Sequence, residues 1–241
     1  MNKLIHGTWQ DELPKLQNNS IDLIILDPPY LTTKEKWDKD EVVNDELTSQ
    51  LFRIAKENCS LYVWCGIGEK SQSLIRWFPI FSKNWYFKDL ITWKKQRGIG
   101  MRKGWLYTRE ELMWFVKDNK QFVWNKEFQY SEQRRIRDGG KDEIKVSQNG
   151  AFCKSLYKRW TNVWDDITEQ SFNIINNKTH YTPKPILAIK RLILAHTKEK
   201  DTVLDCFLGS GTTMQACNEL SRNCIGIEKE LEYYEYCKQY A

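Results

Sequence analysis

Two short runs in this 241-residue chain have the make-up of reactive sites. The first is Asp27-Pro28-Pro29-Tyr30, directly after the apolar run Ile21-Asp22-Leu23-Ile24-Ile25-Leu26. Two consecutive prolines fix φ and remove two backbone N–H donors. The loop therefore offers a carboxylate, bare carbonyls and an aromatic face. Such a set of acceptors suits an NH2 group, which only donates, and the Tyr30 ring is a platform for a flat base. The second run is Asp205-Cys206-Phe207-Leu208-Gly209-Ser210-Gly211-Thr212-Thr213, where the stretch Thr202-Val203-Leu204 ends. Its glycines let a ligand approach the backbone with no Cβ in the way. Glu228 lies 17 residues beyond Gly211, close to the spacing at which an acidic side chain accepts from ribose hydroxyls. Met214 stands where a dinucleotide fingerprint has its third glycine, which argues against NAD or FAD and for a nucleoside cofactor without pyrophosphate. Taken singly, each run also reads as an ordinary turn after a strand.

Elements of two kinds must position these runs. Residues 21–26, 61–65, 90–93, 111–116, 202–204 and 224–227 are short apolar stretches of the sort found in buried strands. Helical periodicity marks 44–57, with Asn44 as its cap, then 184–196 and 214–220. Strands alternating with helices imply an α/β, Rossmann-like, doubly wound and mostly parallel sheet, with both runs at carboxyl ends of strands, where such folds bind ligands. Residues 118–178 break the rhythm, and a long irregular stretch in a compact domain is functional or disordered.

The net charge is +5, but it is unevenly spread. Residues 94–159 carry 17 Lys+Arg against 8 Asp+Glu, a balance of +9, so the remainder sums to −4. A basic middle in an acidic chain points to a polyanionic partner; a solvated charged surface is the plainer alternative. No apolar run approaches the roughly 20 residues of a membrane span. The start, Met1-Asn2-Lys3-Leu4-Ile5-His6, lacks a signal-peptide apolar region, so a cytoplasmic location is expected. Seven cysteines with no CxxC pair suit reduced thiols, and with three histidines at no ligand spacing no metal site is expected.

Together the two runs resemble the β group of DNA amino-methyltransferases. In that group a catalytic motif like Asp27-Pro28-Pro29-Tyr30 precedes a cofactor motif like Phe207-Leu208-Gly209-Ser210-Gly211, a circularly permuted order, with target recognition inserted between them. His180-Tyr181-Thr182-Pro183-Lys184-Pro185 is similar to the family's His-Pro-Thr-Gln-Lys-Pro segment. Asn162-Val163-Trp164-Asp165 resembles the segment before it, and Trp93-Lys94 a strand end near the target base. Where the family has Gly-Asp after its first strand, this chain has Gly7-Thr8, so that contact is lost, taken by Asp11, or made by the Thr8 hydroxyl.

The resemblance implies a seven-stranded sheet in a catalytic domain of residues 1–117 and 179–241, with 118–178 as target-recognition insertion. It implies S-adenosylmethionine as methyl donor, held by Asp205, Phe207, Gly209, Ser210, Gly211, Thr212, Thr213, Glu228, His180, Thr182, Lys184 and Thr8. The substrate would be N6 of adenine in double-stranded DNA, flipped from the duplex; members acting on N4 of cytosine more often have Ser in place of Asp27. RNA methylation and a catalytically inactive nucleic-acid-binding homologue are the remoter alternatives. Lys94, Lys95, Arg97, Arg102 and Lys103 are expected on phosphates, as are Arg134, Arg135 and Arg137, which are also candidates for base edges. A homodimer and a cognate restriction endonuclease are the protein partners suggested. Trp105 and Trp124 are expected to pack, His196 to end a helix, and Tyr233-Tyr234-Tyr236 to face the sheet.

Overall fold

The structure, a computed structural model, describes residues 2–99, 105–125, 130–134, 157–169, 173–175, 178–180 and 183–241. Twelve strands are found among them: β1 (Lys3–His6), β2 (Ile21–Leu26), β3 (Ala55–Cys65), β4 (Tyr86–Ile99), β5 (Tyr107–Val116), β6 (Tyr130–Arg134), β7 (Tyr157–Arg159), β8 (Val163–Trp164), β9 (Asn173–Ile175), β10 (Lys178–His180), β11 (Thr202–Asp205) and β12 (Asn223–Glu228). The helices are α1 (Trp9–Glu12), α2 (Asp45–Ile54), α3 (Ser73–Phe81), α4 (Ile186–His196), α5 (Thr212–Glu219) and α6 (Leu231–Cys237). No helix among the described residues is long and apolar enough to cross a membrane.

The main sheet has the order β1-β12-β11-β2-β3-β5-β4-β8. Only β5 runs against its neighbours; every other pairing is parallel. This corrects the expected seven strands to eight. The addition is β8, where Val163 and Trp164 pair with Thr92 and Trp93 of β4. Trp164 is buried there, and the Trp93 indole donates to the Ile167 carbonyl at 2.9 Å.

Every residue of β2 is buried. Ile21, Ile24 and Leu26 face one apolar layer with Leu47, Leu51 and Ile54 of α2 and Trp77 and Phe81 of α3. Leu23 and Ile25 face the other, with Ile189, Leu192 and Ile193 of α4 and Met214 and Cys217 of α5. A strand covered on both faces needs a continuous apolar run rather than an alternating one. At roughly 25 cal/mol per Å2 of apolar area, those two layers are the main stabilising contribution. Local signals set the element ends. Asn44 caps α2 by accepting from Leu47 N at 3.0 Å, a preferred N-cap arrangement. The chain then passes directly from α2 into β3 at Ala55.

Strand connections run one way from β2, through α2 to β3, and the other way from β11, through α5 to β12. β2 and β11 are themselves neighbours. Their carboxyl ends therefore flank the switch point of the sheet, the place where open α/β sheets leave a crevice.

Candidate active site

A cavity of about 510 Å3 occupies that crevice, lined by Asp27 to Tyr30 on one side and by Asp205 to Ser210 with Glu228 on the other. The two runs singled out by composition thus share one space. Thr8, Trp64, Glu110 and Lys184 also line it.

On the β11 side, the Asp205 carboxylate accepts from Phe207 N at 3.0 Å and from the Thr213 hydroxyl at 2.6 Å. Glu228, at the end of β12, accepts from Gly209 N at 2.7 Å and from Glu230 N at 2.8 Å. These bonds shape the turn, and each carboxylate oxygen keeps a further lone pair for a ligand. Burial pushes both acids up to about 7, more than their hydrogen bonds restore. Gly209 and Gly211 have φ of +54° and +80°, which glycine adopts without a steric penalty. At Gly211 packing adds a second reason: a Cβ would lie 2.8 Å from Cys237 Sγ. Gly211 therefore serves the fit of α6 against the turn, and Gly209, Ser210, Thr212 and Thr213 face the cavity.

On the β2 side, Tyr30 OH donates to Asp27 Oδ1 at 2.9 Å, and Lys184 Nζ lies 3.0 Å from the same oxygen. Lys184 is 7% exposed and also reaches Glu110 Oε1 at 3.3 Å. Glu110 in turn pairs with Lys95 at 3.1 Å. Opposite charges alternate through four groups. Burial raises Asp27 above the ordinary aspartate range against the pull of Lys184. Burial works the same way on Glu110, but Lys184 and Lys95 outweigh it and hold that carboxyl low. The two carboxylates likewise outweigh burial at Lys184, so its ammonium is favoured. The Lys184 Nζ sits 5.2 Å from the Tyr30 ring centroid and 5.3 Å from that of Trp64, within cation–π range.

The loop after Tyr30 is held by an acid that composition did not reveal. Buried Asp38 accepts from the backbone N–H of Leu31 at 2.6 Å, of Thr32 at 2.7 Å and of Thr33 at 2.5 Å. Leu31 has φ of +63°, a strained value for a bulky residue, and the Asp38 bonds support it. Glu41 links this segment to α3 by accepting from Trp77 Nε1 at 3.0 Å and pairing with Arg76.

Other expected residues are distributed as follows. Thr8 lines the cavity and donates to Asp11 Oδ2 at 2.6 Å, so hydroxyl and acid form one unit there. Lys184 sits on Asp27 rather than beside the glycine turn. Lys95, expected on phosphate, points inward to Glu110, whereas Lys94 is exposed. Arg97, Arg134 and His180 fall in β4, β6 and β10; Arg102, Lys103, Arg135, Arg137 and Thr182 lie outside the described residues. Trp105, expected to pack, is 94% exposed at the β4–β5 turn. Trp124 does pack, stacked on Trp114 at 5.4 Å. His196 ends α4 as expected, inside that aromatic group. It bonds Tyr62 OH at 2.6 Å and the Val123 carbonyl at 2.6 Å, and burial lowers it to about 4. Glu110, Asp38 and Trp64 are among the site residues that composition missed. The only signal for Glu110 was two consecutive acids, Glu110 and Glu111, at the head of an apolar strand.

A family model described as DNA methylase matches residues 21–239. The chain belongs to the DNA methylase family. The methylase is 33% identical over 249 residues to the type II methyltransferase M.HpaI of Haemophilus parainfluenzae, covering 98% of this chain and 73% of the relative. It is 31% identical over 252 residues to the type II methyltransferase M1.MboII of Moraxella bovis, covering 97% and 94%. The DNA adenine methyltransferase YhdJ of Escherichia coli K12 is 29% identical, covering 95% of the methylase and 79% of the relative. Among solved structures, an M1.HpyAVI–SAM complex superposes with a TM-score of 0.64 at 22% identity, covering 100% and 99%. The cytosine-N4-specific PvuII DNA methyltransferase gives 0.70 at 15% identity, covering 98% and 84%. At those identities the structural likeness speaks for the fold.

Proposed function

We propose that the methylase transfers a methyl group from S-adenosylmethionine to N6 of adenine in duplex DNA. One observation carries this reading: a single cavity brings the acceptor-rich Asp27–Tyr30 loop and the Glu228–Gly209 turn together. The residues fit the donor. Glu228 accepts from ribose hydroxyls, the Gly209–Thr213 turn admits the amino-acid part, and Phe207, Leu208 and Ile227 provide apolar walls. When bound, the donor supplies a methyl group already activated on a sulfonium.

The chain then has to orient and polarise its target. Adenine N6 is a weak nucleophile because its lone pair is delocalised into the ring. Accepting the N6 hydrogens on the Asp27 carboxylate and the Pro28 carbonyl favours a pyramidal nitrogen with a localised lone pair. Asp27, which accepts that amino group, is also placed to take the proton that the methylated amino group releases. In-line placement in this confined space contributes up to about 7–11 kcal/mol. Reaching the cavity requires the base to leave the duplex at a cost of a few kcal/mol. Stacking on Tyr30 offsets roughly 1–3 kcal/mol of that.

Residues 1–117 and 179–241 form the catalytic part in this proposal. Residues 118–178, with the basic stretch 94–159, form the part that meets the duplex. Asp27 favours adenine over cytosine, and the name of one relative, a DNA adenine methyltransferase, supports that choice. The homodimer and companion endonuclease carry over on the resemblance alone. The test is incubation with labelled donor and duplex DNA, followed by digestion to nucleosides. N6-methyladenine is expected; 4-methylcytosine overturns the adenine assignment, and an unlabelled digest overturns the reaction.

A further inference from the structure

Lys184 has a role in this site that the glycine turn does not explain. A buried ammonium is costly unless it is paired, and here two carboxylates meet it. Asp27 comes from the end of β2 and Glu110 from β5, at 3.0 Å and 3.3 Å. The aromatic faces of Tyr30 and Trp64 complete the enclosure. Asp27 also receives the Tyr30 hydroxyl, so one of its oxygens is committed to holding groups and the other, Oδ2, is left for a substrate.

We propose that Lys184 is a positioning residue: clamped by Glu110, its ammonium fixes the Asp27 carboxylate toward the target amino group and keeps it ionised. This rests on the reading of Asp27 given above. The opposing case is that Lys184 binds the donor, or that the ion pair merely holds β5 against the segment before α4.

The groups bearing on Asp27 act in opposite senses, which makes the role measurable. Lys184 favours its anion, as does the Tyr30 hydrogen bond; Glu110 opposes it, and burial opposes it most. Asp205 faces it from β11 and is itself raised by its charge. The Cys65 thiol of β3 bears electrostatically on Tyr30 and is itself raised, after burial, by Glu111 and Glu110, and Lys95 of β4 acts through Glu110. Removing Lys184 leaves Asp27 half-buried with a nearby like charge and no cation, so it takes up a proton at higher pH. Removing the Glu110 charge does the reverse, by ending a repulsion and freeing Lys184 for Asp27 alone.

The experiment is the pH profile of single-turnover methylation of duplex DNA at saturating donor, for the wild type, Lys184→Met and Glu110→Gln, with donor affinity by calorimetry. Lys184→Met is expected to bind donor within about threefold of the wild type. Its rate at neutral pH should fall by about 10²-fold. Its acid limb should move up by about 1–3 pH units, the usual effect of one close opposite charge. Glu110→Gln should move the limb down, and it remains informative if Lys184→Met fails to fold. Limbs that stay in place, or that move the same way in both variants, overturn the proposal. So does a Lys184→Met protein that loses donor affinity and keeps its limb. Failure of the underlying reading shows separately, as a wild type that does not label DNA.

Discussion

The two strand ends that meet in the crevice hold their carboxylates by different means. At β11 and β12, Asp205 and Glu228 are gripped by nearby backbone N–H groups and one hydroxyl, from Phe207, Gly209, Glu230 and Thr213. At β2, Asp27 is gripped by side chains, one of them the ammonium of Lys184 far along the chain. Burial raises all three acids, but only Asp27 has a cation set against it. Neutral dipoles from a local turn make a receptive, rigid cradle. A cation from a distant element makes a carboxylate whose charge depends on the whole fold. The first arrangement suits binding and the second suits chemistry.

The strongest way to break this contrast is Asp27→Ala. Turnover should fall by about 10²–10³-fold or more, the scale for removing one group aimed at a reacting centre, while donor affinity by calorimetry stays put. An equal loss of donor affinity would make the two ends one binding site. Glu228→Gln should do the opposite. The donor Kd should weaken by about 10–100-fold, as for loss of a charged hydrogen bond worth about 1.5–3 kcal/mol, with turnover at saturating donor retained.

The same acids give a pH signature. In the fold Asp205 and Glu228 titrate at about 7, against ordinary values of 3.8 and 4.5. Between about pH 4 and 7 these two acids hold more protons in the folded chain than in the unfolded one, so their contribution to stability declines as pH rises through that window, offset in part below 6.5 by His196, which burial lowers to about 4. Melting of the donor-free wild type beside Glu228→Gln isolates the Glu228 share: the wild type should lose stability relative to the variant as pH rises through this window. Below these lies Asp38→Ala, which deprives three backbone N–H groups of their acceptor. A loss of about 1–3 kcal/mol in denaturant unfolding is expected. The smallest effect compares two adjacent lysines. Lys94→Ala should lower the salt slope of DNA binding by about 0.9, whereas Lys95→Ala, with its ammonium turned to Glu110, should leave that slope unchanged.

The β11 turn was legible in the sequence where its contacts are local; the packing of Gly211 against Cys237 of α6 was not. Asp205, Gly209, Thr213 and Glu228 form one turn and the next strand end, and apolar runs with glycine punctuation mark such places. The Asp27–Tyr30 loop was legible for the same reason. Its partners were not. Lys184 lies in a segment whose neighbours suggested the donor, and Lys95 sits in a basic run that suggested phosphate. Lys95 turns inward because of strand register, with Trp93 opposite Glu110 and Lys94 opposite Arg109, and Lys184 is brought in by the segment before α4; composition encodes neither. β8 escaped notice because a two-residue strand has no period to detect. Trp105 was misjudged because aromatic residues usually pack, and nothing in its neighbours signals a nearly complete exposure of 94%.

The central claim is that these two unlike ends face one another across a single bound donor. A crystal structure of the methylase with S-adenosylmethionine tests it most directly. The ribose hydroxyls should lie on Glu228 and the methyl group should point into the space between Asp27 and Tyr30. A methyl group directed away from Asp27, or a donor seated away from Gly209, would contradict the account.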